Sequence, residues 1–412
     1  MKAEILAVGT ELLLGDILNT NAQYLSRELA SLGIGVYHQS VVGDNDIRLK
    51  KELSEAFSRS DMVITTGGLG PTKDDLTKET GAEYFNKKLV LDEESLKKVR
   101  KYFGDENKPI NGGNEKQAYF PEGSVILPNN HGTAPGCIIE ENEKILIVLP
   151  GPPREVKPMF EDYVIPYLKK YQTTVFISKV LRIFGIGEGF MAEKIGDIID
   201  SQSNPTVAPY AKEGEVTLRI TASAKTEREA VNLIEPAVKK IKERLGDNVY
   251  GEGENTTLED VVCKLLLQKN LSIATAESCT GGMLAARLIN YPGISQVFKE
   301  GAITYSNEAK MKRLGVKEET LKKFGAVSEQ TAKEMAEGIA KTSGTDIGLS
   351  TTGIAGPGGG THEKPVGLVY IGLYVKGAVT VTHINRRGDR QTIRNRAAMT
   401  ALDLLRRELI KL

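Results

Sequence analysis

The seven residues 276–282, with the sequence AESCTGG, constrain the fold of this chain more than any other segment. An apolar run with the length of a strand precedes them, and an apolar run with the length of a helix follows them at residues 283–289. This order predicts a strand, a tight turn and a helix, with Ser278 beside the first free amides of the helix. Such amides favour negative charge, so the turn predicts a nucleophile with its oxyanion, or a phosphate site.

A candidate base for Ser278 is Lys310, which ends the segment TYSNEAK. The chain between them is long enough for a helix, a strand and a turn, which would return Lys310 to the same edge of a sheet. A lysine acts as a base only where burial or neighbouring positive charge lowers its pKa. We interpret the two residues as a serine–lysine pair of an amidohydrolase, with the amides after Ser278 holding the oxyanion. Thr280, through its hydroxyl, and Gly281 would bind substrate, and Tyr305 would orient Lys310 or the substrate.

Each of these motifs also has a plainer structural interpretation. A turn with small hydroxyl side chains is more often a helix cap than a nucleophile, and an isolated lysine is more often solvated. Cys279 is a rival nucleophile, although a free cysteine is more often a small buried hydrophobic residue. The four histidines stand apart in the sequence, and none is obviously placed to activate Cys279.

Two further segments near the C-terminus carry candidate phosphate ligands. TTGIAGPGGG follows a predicted strand, and its amides around Gly353, Gly356 and Gly358 would cradle a phosphate or a ribose. Arg390 and Arg394 lie one helical turn apart and would grip a phosphate together. Glycine loops and solvated arginine-bearing helices are both common, so each signal is weak by itself.

Composition limits the classes of function. A chain of 412 residues exceeds one ordinary core, which predicts two or three domains. Lys+Arg and Asp+Glu both number 54, and this net charge of zero argues against a nucleic-acid or anionic-membrane partner for the whole chain. The three cysteines lie far apart and fit a reducing cytoplasm. No apolar run approaches the roughly 20 residues of a membrane helix, so we expect a soluble cytoplasmic protein.

Three loops near the N-terminus gather glycines, carboxylates and cations: GTELLLGDILNTN, TTGGLGPTKDD and PGPPRE. The candidate phosphate ligands are Gly67, Gly68, Gly70, Lys73 and Arg154, and the candidate metal ligands are Glu11, Asp16, Asp74 and Asp75. Because parallel strands end at one rim, the loops predict a site for a phosphate-bearing ligand with a hard divalent cation. With no Cys/His cluster in the sequence, the metal would rest on carboxylates, which suits magnesium or manganese. For each acid separately, helix or loop capping is the alternative.

Hydrophobic periodicity divides the chain into three predicted domains. Residues 1–168 alternate strands and helices, which predicts a parallel α/β sheet with helices on both faces. Residues 171–250 predict a small α+β module, with paired strands at 207–210 and 215–222 around a KEGE turn and a long helix at 227–245. Residues 257–412 predict a second α/β domain, which includes a hairpin of strands 366–375 and 378–385 across Lys376 and Gly377 and a final helix at 390–411. The polar, glycine-rich segment GEGENTT at 251–257 predicts a linker.

Six motifs occur in order near the C-terminus: AESCTGG, YSNEAK, GAVSEQT, TGIAGPGGG, EKPVG and RRGDR. Together they resemble the C-terminal domain of the CinA (competence/damage-inducible protein) family over residues 258–412. The resemblance implies a nicotinamide-nucleotide amidohydrolase that converts nicotinamide mononucleotide (NMN) to its nicotinic acid counterpart and ammonia. It implies Ser278 as nucleophile and Lys310 as base without a metal. It also implies that Tyr305, Arg390 and Arg394 contact substrate together with the glycine loop.

The rest of the chain resembles the same family. Residues 1–168 resemble its molybdopterin-binding-like domain, which implies hydrolysis of ADP-ribose to AMP and ribose 5-phosphate with a divalent cation (Mg, Mn or Co) and potassium. The ligand roles in that domain are assigned from residue type alone. Residues 171–250 resemble its KH-type domain, in which Glu188 of GIGEGF lies where an RNA phosphate would lie, and this argues against RNA. The resemblance also implies a homodimer.

Two other functions stay open at this point. The N-terminal domain would alternatively bind a nucleotide or molybdopterin without hydrolysis, because one fold hosts many functions. The chain would alternatively be a nucleic-acid-associated competence factor, although the zero net charge and Glu188 argue against it.

Overall fold

The computed structural model describes residues 1–103, 111–171, 174–212 and 214–412. The chain divides into two compact units, residues 1–177 with 223–231, and residues 178–222 with 232–412. Across the described residues, no helix combines the length and the apolar character that a bilayer crossing requires.

The first part of the chain alternates strands and helices. Its strands are β1 (Lys2–Val8), β2 (Gly35–Val42), β3 (Met62–Thr66), β4 (Leu89–Leu91), β5 (Tyr119–Pro121), β6 (Val125–Leu127), β7 (Gly136–Glu141) and β8 (Lys144–Leu149). Its helices are α1 (Thr10–Leu14), α2 (Thr20–Ser31), α3 (Asp46–Arg59), α4 (Thr77–Tyr84), α5 (Glu93–Tyr102), α6 (Gly112–Glu115), α7 (Pro153–Met159) and α8 (Ile165–Leu168).

A six-stranded sheet lies at the centre of this part, in the order β2-β1-β3-β8-β7-β6. The first four strands are parallel, as predicted, but β7 pairs antiparallel with both β8 and β6. The sheet is therefore mixed, and the prediction of a parallel sheet is only partly right. The hairpin between β7 and β8 explains the difference. Asn142 and Glu143 both adopt positive φ, at 50° and 62°, and close a two-residue turn that contains no glycine.

Helices cover both faces of this sheet, which is why its central strands β1, β3 and β8 are buried except at the first residues of β1 and β8. Neighbouring residues of β1 point to opposite faces. Ile5 packs into a core that includes Leu25 of α2, and Leu6 packs into a separate core that includes Leu53 of α3.

The middle part forms a small four-stranded sheet in the order β10-β11-β9-β12. Its elements are β9 (Val175–Ile183), α9 (Glu188–Asp200), β10 (Thr206–Lys212), β11 (Glu215–Ala224), α10 (Glu227–Leu245) and β12 (Val249–Glu252). β10 and β11 pair antiparallel, as predicted. Gly251 and Glu252 pair with β9, so the predicted linker at 251–257 belongs in part to this sheet. Glu188 is exposed at the first turn of α9.

The last part forms a second α/β domain. Its strands are β13 (Ile273–Glu277), β14 (Phe298–Ile303), β15 (Ile347–Gly353), β16 (Leu368–Val375) and β17 (Ala378–Asn385). Its helices are α11 (Leu258–Lys269), α12 (Met283–Ile289), α13 (Asn307–Leu314), α14 (Glu318–Phe324), α15 (Glu329–Ser343) and α16 (Arg390–Lys411).

The sheet of this domain has the order β14-β13-β15-β16-β17. β14, β13 and β15 are parallel, whereas β16 and β17 form the predicted antiparallel hairpin across Lys376 and Gly377. Ile273 of β13 joins the core beneath α11 and α16, and Ala274 joins the core beneath α15. Because β13 lies between two parallel neighbours, the loops after all three strands meet at one edge of the sheet.

Candidate active site

Ser278 and Lys310 meet at the edge where β13, β14 and β15 end. Ser278 follows β13 directly, and its amide donates to the Thr351 carbonyl of β15 at 3.0 Å. Lys310 lies in α13, a helix that the sequence analysis did not predict, and its Nζ donates to Ser278 Oγ at 3.0 Å. Both side chains are buried. The structure therefore brings the predicted nucleophile and the predicted base into hydrogen-bond contact.

The surroundings of Lys310 suit a neutral amine. Its side chain is 1% exposed, and Nζ also donates to the carbonyl oxygens of Thr304 at 2.9 Å and Tyr305 at 3.2 Å. A neutral amine has two N–H bonds and one lone pair; two carbonyls can take both N–H bonds, which leaves the lone pair facing Ser278. Burial lowers the pKa of Lys310 to about 8, because a charge is poorly solvated there, while Cys279 acts weakly in the opposite direction.

Glu277 is a site residue that the sequence analysis missed. Its carboxylate is buried and accepts hydrogen bonds from the amides of Gly282, Leu284 and Ala285, at 3.0, 3.0 and 2.9 Å. These amides begin α12, and the sequence analysis expected them to attract an oxyanion or a phosphate. The structure corrects that expectation, because Glu277 already supplies the negative charge. The amides immediately after Ser278 are then the candidate oxyanion donors. The available signal was an acid placed directly before the turn.

Two neighbours of Ser278 are enclosed by the protein. Burial raises the pKa of the Cys279 thiol to about 12, which disfavours the thiolate that a cysteine nucleophile needs. Thr280 is also buried, and its hydroxyl lies 2.6 Å from the hydroxyl of Thr351. This internal hydrogen bond is a departure from the prediction that the Thr280 hydroxyl points toward substrate. Gly281 is exposed and has a φ of 60°.

Arg390 and Arg394 bind the protein backbone from the first turns of α16. Arg394 donates to the carbonyls of Cys279 at 3.0 Å and Thr280 at 2.7 Å, and so ties the nucleophile turn to the helix. Arg390 donates to the Gly356 carbonyl at 2.8 Å and to the Tyr305 hydroxyl at 3.1 Å. The predicted residues do converge, but a phosphate would compete with these oxygens for the two guanidinium groups.

Of the three predicted glycines in TTGIAGPGGG, two are required by packing and one has open space around it. A Cβ at Gly353 would lie 2.7 Å from the Leu368 carbonyl oxygen. At Gly356, where φ is 78°, a Cβ would lie 2.6 Å from a methyl group of Val366. Apart from its two chain neighbours, no described residue has an atom within 4 Å of the corresponding position at Gly358. Gly358 is therefore the predicted loop glycine with the most room for a ligand.

A second candidate site lies in the first unit, where the turn after β3 borders a cavity of about 380 Å³. Glycine is required in this turn: a Cβ at Gly67, where φ is 110°, would lie 2.0 Å from the Val8 carbonyl oxygen. At Gly68, where φ is 69°, it would lie 2.1 Å from the Thr77 hydroxyl. The carboxylate-bearing residues of the lining are Glu11, Asp44, Asp74, Asp75 and Glu155.

The structure separates the N-terminal predicted residues into two groups. Those that line the cavity are Gly67, Gly68, Gly70, Glu11, Asp74 and Asp75. Asp16, Lys73 and Arg154 are exposed and lie outside the lining. Lys116, which was not predicted, donates to the backbone carbonyls of Thr72 at 2.5 Å and Asp75 at 2.6 Å. Within the described ranges, no three His, Cys, Asp or Glu residues form a metal-binding group, so the four predicted acids do not make a preformed metal centre.

Three family models match consecutive parts of the chain. They are the "Probable molybdopterin binding domain" over residues 4–170, the "Damage-inducible protein CinA KH domain" over 178–251 and the "CinA C-terminal domain" over 255–409. The molybdopterin-binding-like α/β domain, the KH-like middle domain and the C-terminal CinA domain together give the fold class that the sequence analysis predicted.

Relatives and solved structures carry the same family name. Proteins of Clostridium acetobutylicum (64% identical over 412 residues) and Clostridium tetani (65% over 410), both named as competence-damage inducible proteins, are matched over 100% of each chain. The crystal structure of CinA from Thermoplasma acidophilum is 33% identical, covers 40% of this chain and 96% of its own, and gives a TM-score of 0.38. That of the Agrobacterium tumefaciens protein is 39% identical, covers 38% and 99%, and gives 0.36. The family models and the full-length relatives show that this chain belongs to the CinA family.

Proposed function

We propose that this protein is a bifunctional hydrolase of pyridine-nucleotide salvage, which acts in the cytoplasm as a homodimer. Its C-terminal domain hydrolyses the amide of NMN to nicotinate mononucleotide and ammonia. The observation that carries this proposal is the 3.0 Å hydrogen bond between Lys310 Nζ and Ser278 Oγ, in a setting that lowers the pKa of the lysine. A hydroxyl beside a neutral amine is an activated nucleophile, which is what acyl transfer requires.

The proposed reaction runs through an ester of Ser278. Neutral Lys310 takes the hydroxyl proton as Oγ attacks the amide carbon, and the amides after Ser278 stabilise the oxyanion. The Lys310 ammonium then protonates the leaving nitrogen, the carbon–nitrogen bond breaks and ammonia departs. Lys310, neutral again, takes a proton from a water that attacks the ester, and its ammonium returns this proton to Ser278 Oγ as the ester bond breaks. The acid released ionises to the carboxylate, and Ser278 and neutral Lys310 are restored. The serine and the lysine supply nucleophile and base, so the proposal assigns no metal or cofactor to this domain.

The surrounding residues would hold the nucleotide part of NMN. Gly358 has room for a ligand, and Tyr305 is exposed beside the site. Arg390 would contact the phosphate if it exchanged its bond to the Gly356 carbonyl for one to a phosphate oxygen. Arg394, which is held by the carbonyls of the nucleophile turn, would act mainly by positioning Ser278.

The test is ammonia release from NMN without added metal. We expect Lys310→Ala to lose activity by about 10²–10⁴-fold, the contribution typical of general acid–base catalysis, and Ser278→Ala, which removes the nucleophile, to lose at least as much. Cys279→Ala is the matched control, because it changes a buried neighbour in the same turn, and we expect it to stay active. Wild-type rates from the first two variants would overturn the mechanism. Loss in the Cys279 variant alone would identify the thiol as the nucleophile.

For the N-terminal domain, we propose hydrolysis of ADP-ribose to AMP and ribose 5-phosphate. The supporting observation is one cavity that combines a tight glycine turn with several carboxylates. These oxygen donors fit a hard cation such as Mg²⁺, Mn²⁺ or Co²⁺, with K⁺ as a second ion. The divalent cation typically binds through one or two carboxylates together with substrate phosphates, so a preformed cluster is not needed, and it would polarise the pyrophosphate. Glu11, Asp74, Asp75 and Glu155 are the candidate carboxylates.

Metal-dependent release of AMP from ADP-ribose tests this second activity. We expect activity with Mg²⁺, Mn²⁺ or Co²⁺, loss of activity with a chelator, and a strong decrease in Asp75→Asn. Asp16→Asn is the control, since it removes a carboxylate that lies outside the cavity. Binding of ADP-ribose without AMP release under any of these metals would replace hydrolysis with a nucleotide-binding role.

A further inference from the structure

A groove in the C-terminal domain, between the end of α13 and one side of α15, lies outside both sites described above. We call it the α13–α15 groove. Its volume is about 760 Å³, within the range of roughly 300–1,000 Å³ that is usual for small-molecule sites. Its carboxylates are Glu334 and Glu337. The more numerous cations of its lining are Lys312, Arg313, Lys317, Lys333 and Lys341.

Both carboxylates of the groove already have partners within the protein. Glu337 accepts a hydrogen bond from Lys341 Nζ at 2.6 Å, one turn further along α15. Glu334 accepts from the Lys317 backbone amide at 2.8 Å and from the Thr320 hydroxyl at 2.7 Å. The negative charges of the groove are therefore bound to the protein itself, and they leave most of its positive charge uncompensated.

Three amines of the groove are uncommitted. Within the part of the chain that the structure describes, the amines of Lys312, Lys317 and Lys333 have no hydrogen-bond or ion-pair partner. All three side chains are exposed, and they approach the same groove from α13, from the turn after it and from α15. Like charges that share one groove repel each other, and an anion with several charges removes that repulsion.

The two helices that form the groove are held together at its base. A Cβ at Gly338 of α15 would lie 1.9 Å from the Leu314 carbonyl oxygen of α13, so glycine is what allows the two helices to approach. Glu300 of β14 accepts hydrogen bonds from Arg313 of α13, at 3.1 Å from Nε, and from the Ser343 hydroxyl of α15 at 2.7 Å. The backbones that carry the three amines are therefore fixed before a ligand arrives, which lowers the cost of binding.

We propose that the α13–α15 groove binds a polyphosphate, either free or as the phosphate chain of a nucleotide. The amines of Lys312, Lys317 and Lys333 donate to its phosphate oxygens, as lysine commonly does to phosphates. The volume of the groove leaves room for a nucleoside beside the chain. This site is separate from the amidohydrolase site, because Lys310 of the same helix is 1% exposed and donates to Ser278 Oγ, whereas Lys312 is exposed in the groove.

Titration calorimetry of the full chain with tripolyphosphate and with ATP, at about 0.15 M salt and without a divalent cation, tests this site. We expect the double variant Lys317→Gln/Lys333→Gln to weaken tripolyphosphate binding by about tenfold for each amine removed, the loss expected for one charge-assisted hydrogen bond. Glutamine keeps most of the side-chain length at these exposed positions, so the fold should be unaffected. Equal affinity for the two probes would identify the phosphate chain as the ligand, and tighter ATP binding that is lost in the double variant would add a nucleoside to it.

Two further variants separate the groove from other positive regions of the domain. Lys264→Gln/Lys323→Gln removes the same charge from two exposed lysines outside the groove, and we expect it to bind tripolyphosphate at wild-type strength. An equal loss in the two double variants would show a general effect of net charge and overturn the site. Loss of binding in Arg390→Gln, with none in the groove variant, would place the anion at the glycine loop instead. A wild type that binds neither probe would also overturn the proposal.

Discussion

Two buried lysines, one in each α/β domain, show what separates a catalytic base from a structural residue. Lys310 and Lys78 are both almost fully buried, and burial lowers the pKa of each to about 8. Lys310 Nζ contacts the Ser278 hydroxyl, whereas Lys78 Nζ donates to the Gln117 carbonyl at 2.6 Å and lies 4.3 Å from the centre of the Phe120 ring. Of these two lysines, Lys310 is the one whose Nζ contacts a hydroxyl group.

A lowered pKa is therefore necessary for a lysine base but does not identify one. A carbonyl oxygen and an aromatic face both interact best with a positive or N–H-bearing group, so the surroundings of Lys78 favour a donor. Around Lys310, two carbonyls take N–H bonds, and the remaining direction meets an O–H group. A buried lysine can therefore act as a base only if its Nζ also contacts a group that can release a proton.

Replacing each lysine by methionine gives the largest expected contrast. Methionine keeps most of the volume and removes the amine. We expect Lys310→Met to lower ammonia release from NMN by about 10²–10⁴-fold, because the general base is lost. Lys78→Met should change the same rate by less than about twofold, since general-base catalysis requires contact with the reacting groups. An equal loss of ammonia release in both variants would show that contact with Ser278 does not distinguish the roles of the two lysines.

The second prediction concerns the free energy of unfolding, which should depend on pH because Lys78 is buried. A lysine with a folded pKa of about 8 and an ordinary value of 10.5 carries a penalty that is fully present below pH 8 and is lost as pH rises to 10.5. Through that window the unfolded chain binds more protons than the folded chain, so wild-type stability increases with pH relative to Lys78→Met. The change is at most about 3 kcal/mol, at 1.36 kcal/mol for each pKa unit. Urea unfolding of both proteins at pH 7.5 and pH 10 measures it, and parallel curves would contradict a charge penalty at Lys78.

Local periodicity in the sequence was enough to predict several elements with their observed bounds. The helices Glu227–Leu245, Met283–Ile289 and Arg390–Lys411 and the strand Ala378–Asn385 are examples. The antiparallel strand Gly136–Glu141 was missed, because its turn places Asn142 and Glu143 at positive φ without the usual glycine signal. The conformation of the turn sets the direction of that strand, and hydrophobic periodicity does not predict the conformation of a turn.

The sequence predicted the residues of the candidate site only where they lie in recognisable motifs. The motifs around Ser278 and Lys310 were sufficient to pair these residues, and the structure puts their side chains 3.0 Å apart. The contacts of Arg394 with the nucleophile turn were not predictable, because they join side chain and backbone across more than a hundred residues. Asp16 and Asp75 looked equivalent in sequence, yet only Asp75 lines the cavity, since loop geometry decides where a carboxylate points.

The two α/β domains also differ in how the helix after each glycine-containing turn is capped. The helix after the nucleophile turn is capped by the Glu277 carboxylate, whereas α4, the helix after the N-terminal glycine turn, begins without a side-chain cap. We expect Glu277→Gln to destabilise the protein by about 2 kcal/mol, as a buried charged cap is replaced by an amide that also carries donors. It should also lower ammonia release from NMN, because the turn that holds Ser278 loosens.

Ser328→Ala is the control for Glu277→Gln. Ser328 caps α15 by accepting from the Thr331 amide, and its hydroxyl bonds Gly325 and Thr331, neither of which belongs to the nucleophile turn. Its loss should cost about 1 kcal/mol in urea unfolding and leave the amidohydrolase rate unchanged. A Glu277→Gln protein with full activity and full stability would show that the helix does not depend on this carboxylate.

The smallest predicted effect, the pH dependence of the C-terminal activity, distinguishes the two lysines most directly. The neutral fraction of Lys310 increases tenfold for each pH unit below a pKa of about 8 and levels off above it, so the rate should do the same. Above pH 7 the phosphate of NMN, with a second pKa near 6, is largely ionised and does not distort the profile. We expect about a tenfold increase in kcat/KM for NMN between pH 7 and the plateau.

The same profile measured on Lys78→Met completes the comparison. Lys78 titrates near the same pH as Lys310, so the position of the inflection alone does not assign it to either lysine. An inflection that persists in Lys78→Met belongs to the lysine that touches Ser278. An inflection that vanishes with Lys78, or a rate that is flat through pH 8 in the wild type, would remove Lys310 from the role of base. The proposed mechanism therefore requires that the inflection in the pH–rate profile come from the titration of Lys310.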